Sequence, residues 1–177
     1  MIQVKYRVLK LDECDRISEI NPEQYIKNAW RDVDGEKKLV EIDYLETGWP
    51  DGYERYRNEL ESIISNNGIA FGAFDEYNKL IGFASLKRNE FGVDSKYVLL
   101  DSIFVSKEAR GNKIGNQLFE MCINKGREWG MDKIYICAGS AEDTIGFYNS
   151  LGCSNAVEIN EELYLQDTRD IQMEYKL

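Results

Sequence analysis

The sequence predicts an α/β fold, a mixed sheet with flanking helices, and three segments carry that prediction. Residues 97 to 105 read Tyr-Val-Leu-Leu-Asp-Ser-Ile-Phe-Val, nearly apolar on both faces, as a strand covered on both sides must be. Residues 133 to 138, Lys-Ile-Tyr-Ile-Cys-Ala, read as a second buried strand. Between them, residues 113 to 129 place Ile114, Leu118, Met121, Cys122 and Trp129 at helical spacing.

From the N-terminus, Val4 to Leu9 alternates as a first strand, and Leu11 to Trp30 reads as helical with a break at Asn21-Pro22. Asp51 to Asn66 is a helix closed by Asn67-Gly68. Ile69 to Phe74 and Leu80 to Leu86 form a hairpin across Asp75-Glu76-Tyr77-Asn78-Lys79. After the strand at 133 to 138, Ser140-Ala141-Glu142-Asp143 starts a helix as a capping box does; that helix holds Phe147-Tyr148 and stops at Gly152. Strands near Ala156 to Ile159 and Ile171 to Tyr175 close the chain. Residues Arg31 to Pro50 are too long for a plain connector, and such a segment is expected to be a lid or to lack order.

With 177 residues, 43% of them hydrophobic and 12% aromatic, the chain can bury one core, and the two prolines, Pro22 and Pro50, leave no linker to divide it. A single domain over 1–177 is expected. The start has no apolar signal core and no stretch is long enough to span a bilayer, so the expectation is a cytoplasmic protein. Cys14, Cys122, Cys137 and Cys153 show no C-x-x-C spacing and the chain has no histidine. No metal is expected, the thiols read as reduced and buried, and any acid or base must be Tyr, Asp, Glu, Lys or water.

The net charge is −10, unevenly spread. Residues 11 to 67 hold 15 Asp/Glu against 7 Lys/Arg, a balance of −8, whereas residues 101 to 139 hold 5 against 6, a balance of +1. An acidic surface repels nucleic acid and anionic lipid and attracts cations, so neither nucleic acid nor membrane is an expected partner. Acidic side chains that simply solvate exposed helices explain much of the excess, and a cationic ligand fits the remainder.

The richest stretch is Val105-Ser106-Lys107-Glu108-Ala109-Arg110-Gly111-Asn112-Lys113-Ile114-Gly115, where the strand ends and the helix begins. A strand feeding a helix through a glycine-containing turn leaves backbone N–H groups unpaired and aimed at one point, with the positive end of the helix dipole behind them. By itself this reads either as a diphosphate cradle or as an ordinary tight turn with a basic cap.

Together with the later Phe147-Tyr148 helix, the loop makes the sequence resemble the GNAT superfamily of N-acetyltransferases, from about Gly68 to Gly152. That family has an Arg/Gln-x-x-Gly-x-Gly/Ala loop, matched by Arg110, Lys113 and Gly115, and a Phe-Tyr-x-x-Leu-Gly-Phe segment, matched by Phe147, Tyr148, Leu151, Gly152 and Cys153. Lys113 stands where the family has its middle glycine, a residue that permits positive φ, and Ala141 where many relatives carry asparagine. The resemblance implies a mostly antiparallel central sheet with a splay between its two central strands, an acceptor-side part at about 1–67 and a cofactor core at about 68–152. It implies acetyl-CoA as cosubstrate, and direct transfer in a ternary complex to a primary amine of a small molecule or peptide.

The resemblance implies cofactor binding by Arg110, Gly111, Asn112, Lys113, Ile114 and Gly115, and by Ile103, Phe104 and Val105 near a β-bulge in the central strand. Tyr148 matches the family's general acid, a phenol that stays protonated at neutral pH, although a packed tyrosine with a locally satisfied hydroxyl has the same signature. Asp101 shares the strand face of Leu99 and Ile103 and is either the base or a structural carboxylate at the bulge; water acting with Glu41, Asp43 or Glu46 is the other choice. Trp30, Tyr44 and Trp49, interleaved with Glu41, Asp43 and Glu46, form either a wall for a cationic acceptor or a loop pinned to the core. An acyl-CoA sensor without turnover is the alternative function, and a homodimer stays open. A dinucleotide oxidoreductase is disfavoured because no G-x-G-x-x-G follows an early strand.

Overall fold

The computed structural model describes residues 2–177. Strand β1 (Lys5–Val8) is followed by a 3₁₀ helix over Leu11–Glu19, then β2 (Gln24–Val33), β3 (Glu36–Glu46), α1 (Tyr53–Ser65), β4 (Ile69–Phe74) and β5 (Leu80–Leu86). β6 (Tyr97–Val105) leads through a loop into α2 (Ile114–Glu128), and β7 (Lys133–Ala138) into α3 (Glu142–Ser150). The chain ends with β8 (Ser154–Asn155), α4 (Glu161–Gln166) and β9 (Ile171–Lys176). Seven strands form one sheet in the order β1-β4-β5-β6-β7-β9-β8, and β2 and β3 form a separate ribbon. Every adjacent pair in the large sheet is antiparallel except β6 and β7, whose connection through α2 is the crossover a parallel pair requires.

The two sheet faces bury different clusters. Val98, Leu100, Ile134, Ile136 and Met173 pack with Ile114, Leu118 and Cys122, which recur every fourth residue along α2 and so form one stripe. On the other face Phe74, Leu80 and Phe83 meet Leu9 and Ile17 from the N-terminal segment and Leu60 of α1. Every residue of β5 is buried, which is why that strand shows no polar alternation. Among the described residues no helix is long and apolar enough to cross a membrane.

Four expectations are corrected. Helix at Leu11 to Trp30 holds only to Glu19, and as a 3₁₀ helix; from Gln24 the chain is β2. The segment from Arg31 to Pro50 is mostly not a loop, because β2 and β3 pair from Gln24↔Glu46 to Val33↔Glu36 across Asp34-Gly35. Both tip residues have positive φ, 53° and 82°, the mirror-image turn whose twist matches a two-stranded ribbon and for which Asp-Gly is suited. The ribbon's apolar alternation is broken by an extra residue in β3 between Glu41 and Tyr44, where Asp43 takes a φ of 44°.

Ser140 does not cap α3. The N-cap is Ala141 with no side-chain cap, and the Ser140 hydroxyl instead accepts from Arg31 Nη1 at 2.7 Å, while the Ser140 carbonyl accepts from the Trp30 N–H at 2.8 Å. These bonds, with Asn28 Nδ2 donating to Glu142 at 2.8 Å, fasten the ribbon to the start of α3. At the C-terminal end the strand expected at Ala156 to Ile159 is only Ser154–Asn155, and the short α4 follows it.

Glu13 joins β1 to the 3₁₀ helix: its carboxylate accepts from Arg7 at 2.7 and 2.8 Å and from the Lys10 N–H at 3.0 Å. The Arg7 guanidinium, more than any other neighbour, holds this carboxyl down to about 2. A folded-state value below the ordinary unfolded one of about 4.3 contributes stability that is present above that pH and lost as the pH falls through about 2. Glu13→Gln is therefore expected to lower Tm near neutral pH, with the gap to the parent closing as thermal melts are taken down towards about pH 2.

Candidate active site

The parallel pair of β6 and β7 is short. It runs from Tyr97↔Lys133 to Leu100↔Ile136, although β6 continues to Val105 and β7 to Ala138. Beyond Leu100, β6 stays with β5 to Gly82↔Val105 and β7 stays with β9 to Ala138↔Ile171, so the two central strands part. The cause is local: Leu86 pairs with Leu100 and Ser85 with Ser102, leaving Asp101 as an extra residue in β6, and a bulge bends the strand that carries it. The bulge thus lies at Asp101, two residues before the expected Ile103 to Val105. After it Ile103 and Val105 pack with the α2-side core, and Phe104 packs on the α1 side.

The loop at the open end of β6 has the shape the sequence implied. Gly111 has φ 83°, and Lys113, the N-cap of α2, is left-handed at φ 59°, ψ 20°, the conformation a glycine would supply. Among the described residues no backbone carbonyl accepts from the N–H groups of Gly111, Asn112 or Lys113, and those of Ile114, Gly115 and Asn116 in the first turn of α2 lack intrahelical partners by helix geometry. Arg110 is the loop's frame: it donates to the carbonyls of Val105 at 3.0 Å, Glu23 at 2.7 Å and Pro22 at 3.3 Å, and burial lowers its pKa. Asn112 Nδ2 likewise donates to the Ala109 carbonyl at 3.0 Å, and the Ile114 side chain is core. A Cβ on Gly115 would lie 3.1 Å from the Phe147 ring, so glycine there lets α3 close on the start of α2.

Tyr148 lies on the buried side of α3, its ring 6.4 Å from Phe119 and 5.2 Å from Phe147. Burial, followed by the nearby Cys153, Cys122, Asp170 and Cys137, raises its pKa well above that of an ordinary phenol. The hydroxyl therefore keeps its proton at neutral pH and sits within electrostatic reach of both β7 and the turn before β9.

Across the sheet, Trp49 stands 4.8 Å from Phe104 and 5.1 Å from Tyr56, and Tyr56 stands 5.2 Å from Phe104. Carboxylates surround this aromatic group: burial and then Asp51, with Asp101 and Asp170 contributing, push the Tyr56 phenol up to about 12. The Asp101 side chain is 19% exposed, lies 3.6 Å from Lys87 Nζ and accepts from the Ser102 hydroxyl at 3.1 Å. Its pKa is raised, burial outweighing Lys87. Asp170, in the turn before β9, is pushed up to about 6 by burial and then by Asp167.

The structure divides the expected acceptor wall. Trp30, Glu41 and Tyr44 share one face of the ribbon through the pairs Trp30↔Leu39, Asn28↔Glu41 and Ile26↔Tyr44, whereas Trp49 belongs to the aromatic group at α1. Asp43 accepts from the Tyr25 hydroxyl, and Glu46 from that of Tyr44 at 3.4 Å. Sequence reasoning missed Asp51, Tyr56 and Asp170. A signal for Asp170 existed in the alternation Asp170, Gln172, Glu174, polar residues recurring along one face of a strand whose other residues are apolar.

A loop of unpaired N–H groups at the open end of a parted parallel pair suits the binding of an anionic ligand at the start of α2. The chain belongs to the acetyltransferase (GNAT) family, whose model matches residues 36–153. Its fold is similar to that of nourseothricin acetyltransferase, at a TM-score of 0.74 with 16% identity over 98% of both chains. A protein described as a streptothricin acetyltransferase of Bacillus anthracis, in complex with acetyl coenzyme A, is similar at 0.73, with 20% identity over 99% of both chains. The PaiA N-acetyltransferase of Thermoplasma acidophilum, in complex with coenzyme A, is similar at 0.63, with 18% identity over 99% of both. No curated protein sequence matches the chain.

At Lys113 the left-handed backbone costs about 1–2 kcal/mol for a residue with a Cβ, and glycine would remove that strain while adding about 0.5–1 kcal/mol of unfolded-chain entropy. Lys113→Gly is expected to be between neutral and about 1 kcal/mol more stable in urea titrations, with acetyl-CoA affinity within about threefold of the parent. A hundredfold weaker complex, read by calorimetry, would assign the ammonium a main role in binding.

Proposed function

We propose that this protein is an N-acetyltransferase that moves the acetyl group of acetyl-CoA directly to a primary amine of a small cationic molecule or peptide, within a ternary complex. The observation that supports it most is the parting of β6 and β7 at Asp101, which opens a cleft with donors at one end, Tyr148 on one side and an acidic, aromatic surface on the other. In this reading the whole chain acts as one transferase unit.

The N–H groups of Gly111 to Gly115, backed by the α2 dipole, fit a diphosphate. Acetyl-CoA supplies the thioester carbonyl. The edge of β6 past its bulge no longer pairs with β7 and is free to hold an extended ligand arm by backbone hydrogen bonds. Tyr148, protonated throughout the neutral range, donates to the departing thiolate. Trp49, Tyr56 and Phe104 offer ring faces to an ammonium, and Asp51, Asp101 and Asp170 supply the charge that draws it in. The sensor reading loses its motive, because Lys113 adopts the backbone geometry of the glycine it replaces.

Two experiments test this. Saturating acetyl-CoA is expected to raise Tm, since a ligand bound only by the native state at a hundred times its Kd adds about 2.7 kcal/mol; no shift would remove the cosubstrate from the proposal. Tyr148→Phe is expected to lower kcat by roughly 10²–10⁴ with the KM for acetyl-CoA little changed, measured as initial rates of thiol release. Equal turnover in the two proteins would leave water or another residue as the acid.

A further inference from the structure

β9 pairs with β7 through Cys137↔Gln172 and Tyr135↔Glu174, so Gln172 and Glu174 fall on the face of Tyr135 and Cys137, and Asp170 sits in the bend immediately before β9. Leu99 packs in the same cluster as Tyr135 and Cys137, and Asp101 follows it by two residues. The Tyr56 phenol of α1 senses both Asp101 and Asp170, so the two carboxylates stand on the α1 side of the parted strands, one on β6 and the other just ahead of β9.

The polar groups on this face differ in how they are satisfied. Glu174 pairs with Lys133 at 2.9 Å and accepts from the Tyr97 hydroxyl. Asp101 has Ser102 and Lys87, and Lys87 is shared with Glu59. Gln172 is 6% exposed; its Oε1 accepts from the Tyr135 hydroxyl at 2.7 Å, and that hydroxyl accepts from the Asn160 N–H at 3.1 Å. Gln172 Nε2 is buried and has no partner among the described residues, a state native proteins seldom keep without use. Asp170 is half-buried, and its neighbour Arg169 pairs with Asp167 at 3.5 Å, leaving Asp170 no ion pair among the described residues.

We propose that Asp170 is the general base of the transfer, a catalytic residue that receives the acceptor ammonium at the mouth of the parted strands and takes its proton. The assignment rests on the transferase reading above. Asp170 takes one proton from the ammonium and passes it to solvent, and the freed lone pair forms the C–N bond to the thioester carbonyl carbon. The C–S bond breaks as the adduct collapses, and the thiolate takes its proton from Tyr148. The second N–H proton, lost on collapse, returns to Tyr148, so amide, thiol and one solvent proton balance ammonium and thioester.

The charged and titratable groups around Asp170 are Asp167 and Arg169 in its own turn, Asp51 and Arg55 at the start of α1, and Tyr56, Cys137 and Tyr148, each of which senses its charge. Burial and this mostly acidic surround hold Asp170 at about 6, where it is ionised yet basic at neutral pH. A carboxyl whose folded value lies above its unfolded value contributes stability that is present below the unfolded pKa and lost as pH rises through about 6.

The test compares parent and Asp170→Asn by thiol release with acetyl-CoA and a panel of nourseothricin, spermidine, kanamycin and a lysine peptide. For the parent, kcat/KM is expected to rise with pH along a limb near 6. In Asp170→Asn that limb is expected to vanish and kcat near neutral pH to fall by roughly 10²–10⁴, with the KM for acetyl-CoA unchanged. The variant is also expected to melt above the parent at about pH 8, with the advantage shrinking towards pH 4, which shows it folded and free of the buried charge. Equal rates and an unchanged limb in a folded variant overturn the Asp170 assignment alone. A parent that binds acetyl-CoA but acetylates none of the panel overturns the transferase reading, and the assignment with it.

Discussion

Because β6 holds one residue more than β5 can match between Leu100 and Ser102, its far half turns away from β7, and the site is built in the gap. The separation is held open from both sides. Phe83, Phe104 and Trp49 keep the end of β6 against β5 and α1, while the β9 ladder keeps β7 straight as far as Ala138. Closing the gap would mean breaking one of these two sets of contacts, so the cleft belongs to the resting fold and needs no ligand to create it.

The side proposed for the acceptor concentrates groups that a stable core would avoid. Asp101 and Asp170 are carboxylates with raised pKa values, Tyr56 is pushed to about 12, and Gln172 keeps an unmet donor. The carboxyls with raised values and the unmet donor lower the stability of the free protein at neutral pH, whereas Tyr56 stays protonated there at no such cost. The loop ahead of α2, where the proposal puts the diphosphate, follows the opposite logic. There Arg110 is spent on three carbonyls to fix the loop, and attraction to an anion is left to backbone dipoles, which need no counter-charge.

Segments whose environment is uniform were legible in the sequence. Strands 69–74, 80–86, 97–105 and 133–138 match the structure in bounds, because each is mostly apolar along its length. The ribbon was misread because charges on both faces and the extra residue at Asp43 erase the alternation, so that helix was expected to resume after the break at Asn21-Pro22. Asp34-Gly35 was the overlooked sign. In the site, Arg110 to Gly115 is continuous in sequence and so could be read as a unit. Asp51 and Tyr56 at the start of α1, Asp101 and Asp170 come from three places, and only the pairing of β9 with β7 puts the last of them beside the cleft.

The ribbon shares no ladder with the seven-stranded sheet and is fastened by its β2 edge near Asn28, Trp30 and Arg31, so its tip lies outside every register the core depends on. A residue gained or lost around Asp34-Gly35 slips neither the large sheet nor the strands that part. In evolutionary terms the ribbon is an overhang, a length of chain that selection can lengthen, shorten or recharge while the chemistry beneath it is inherited unchanged.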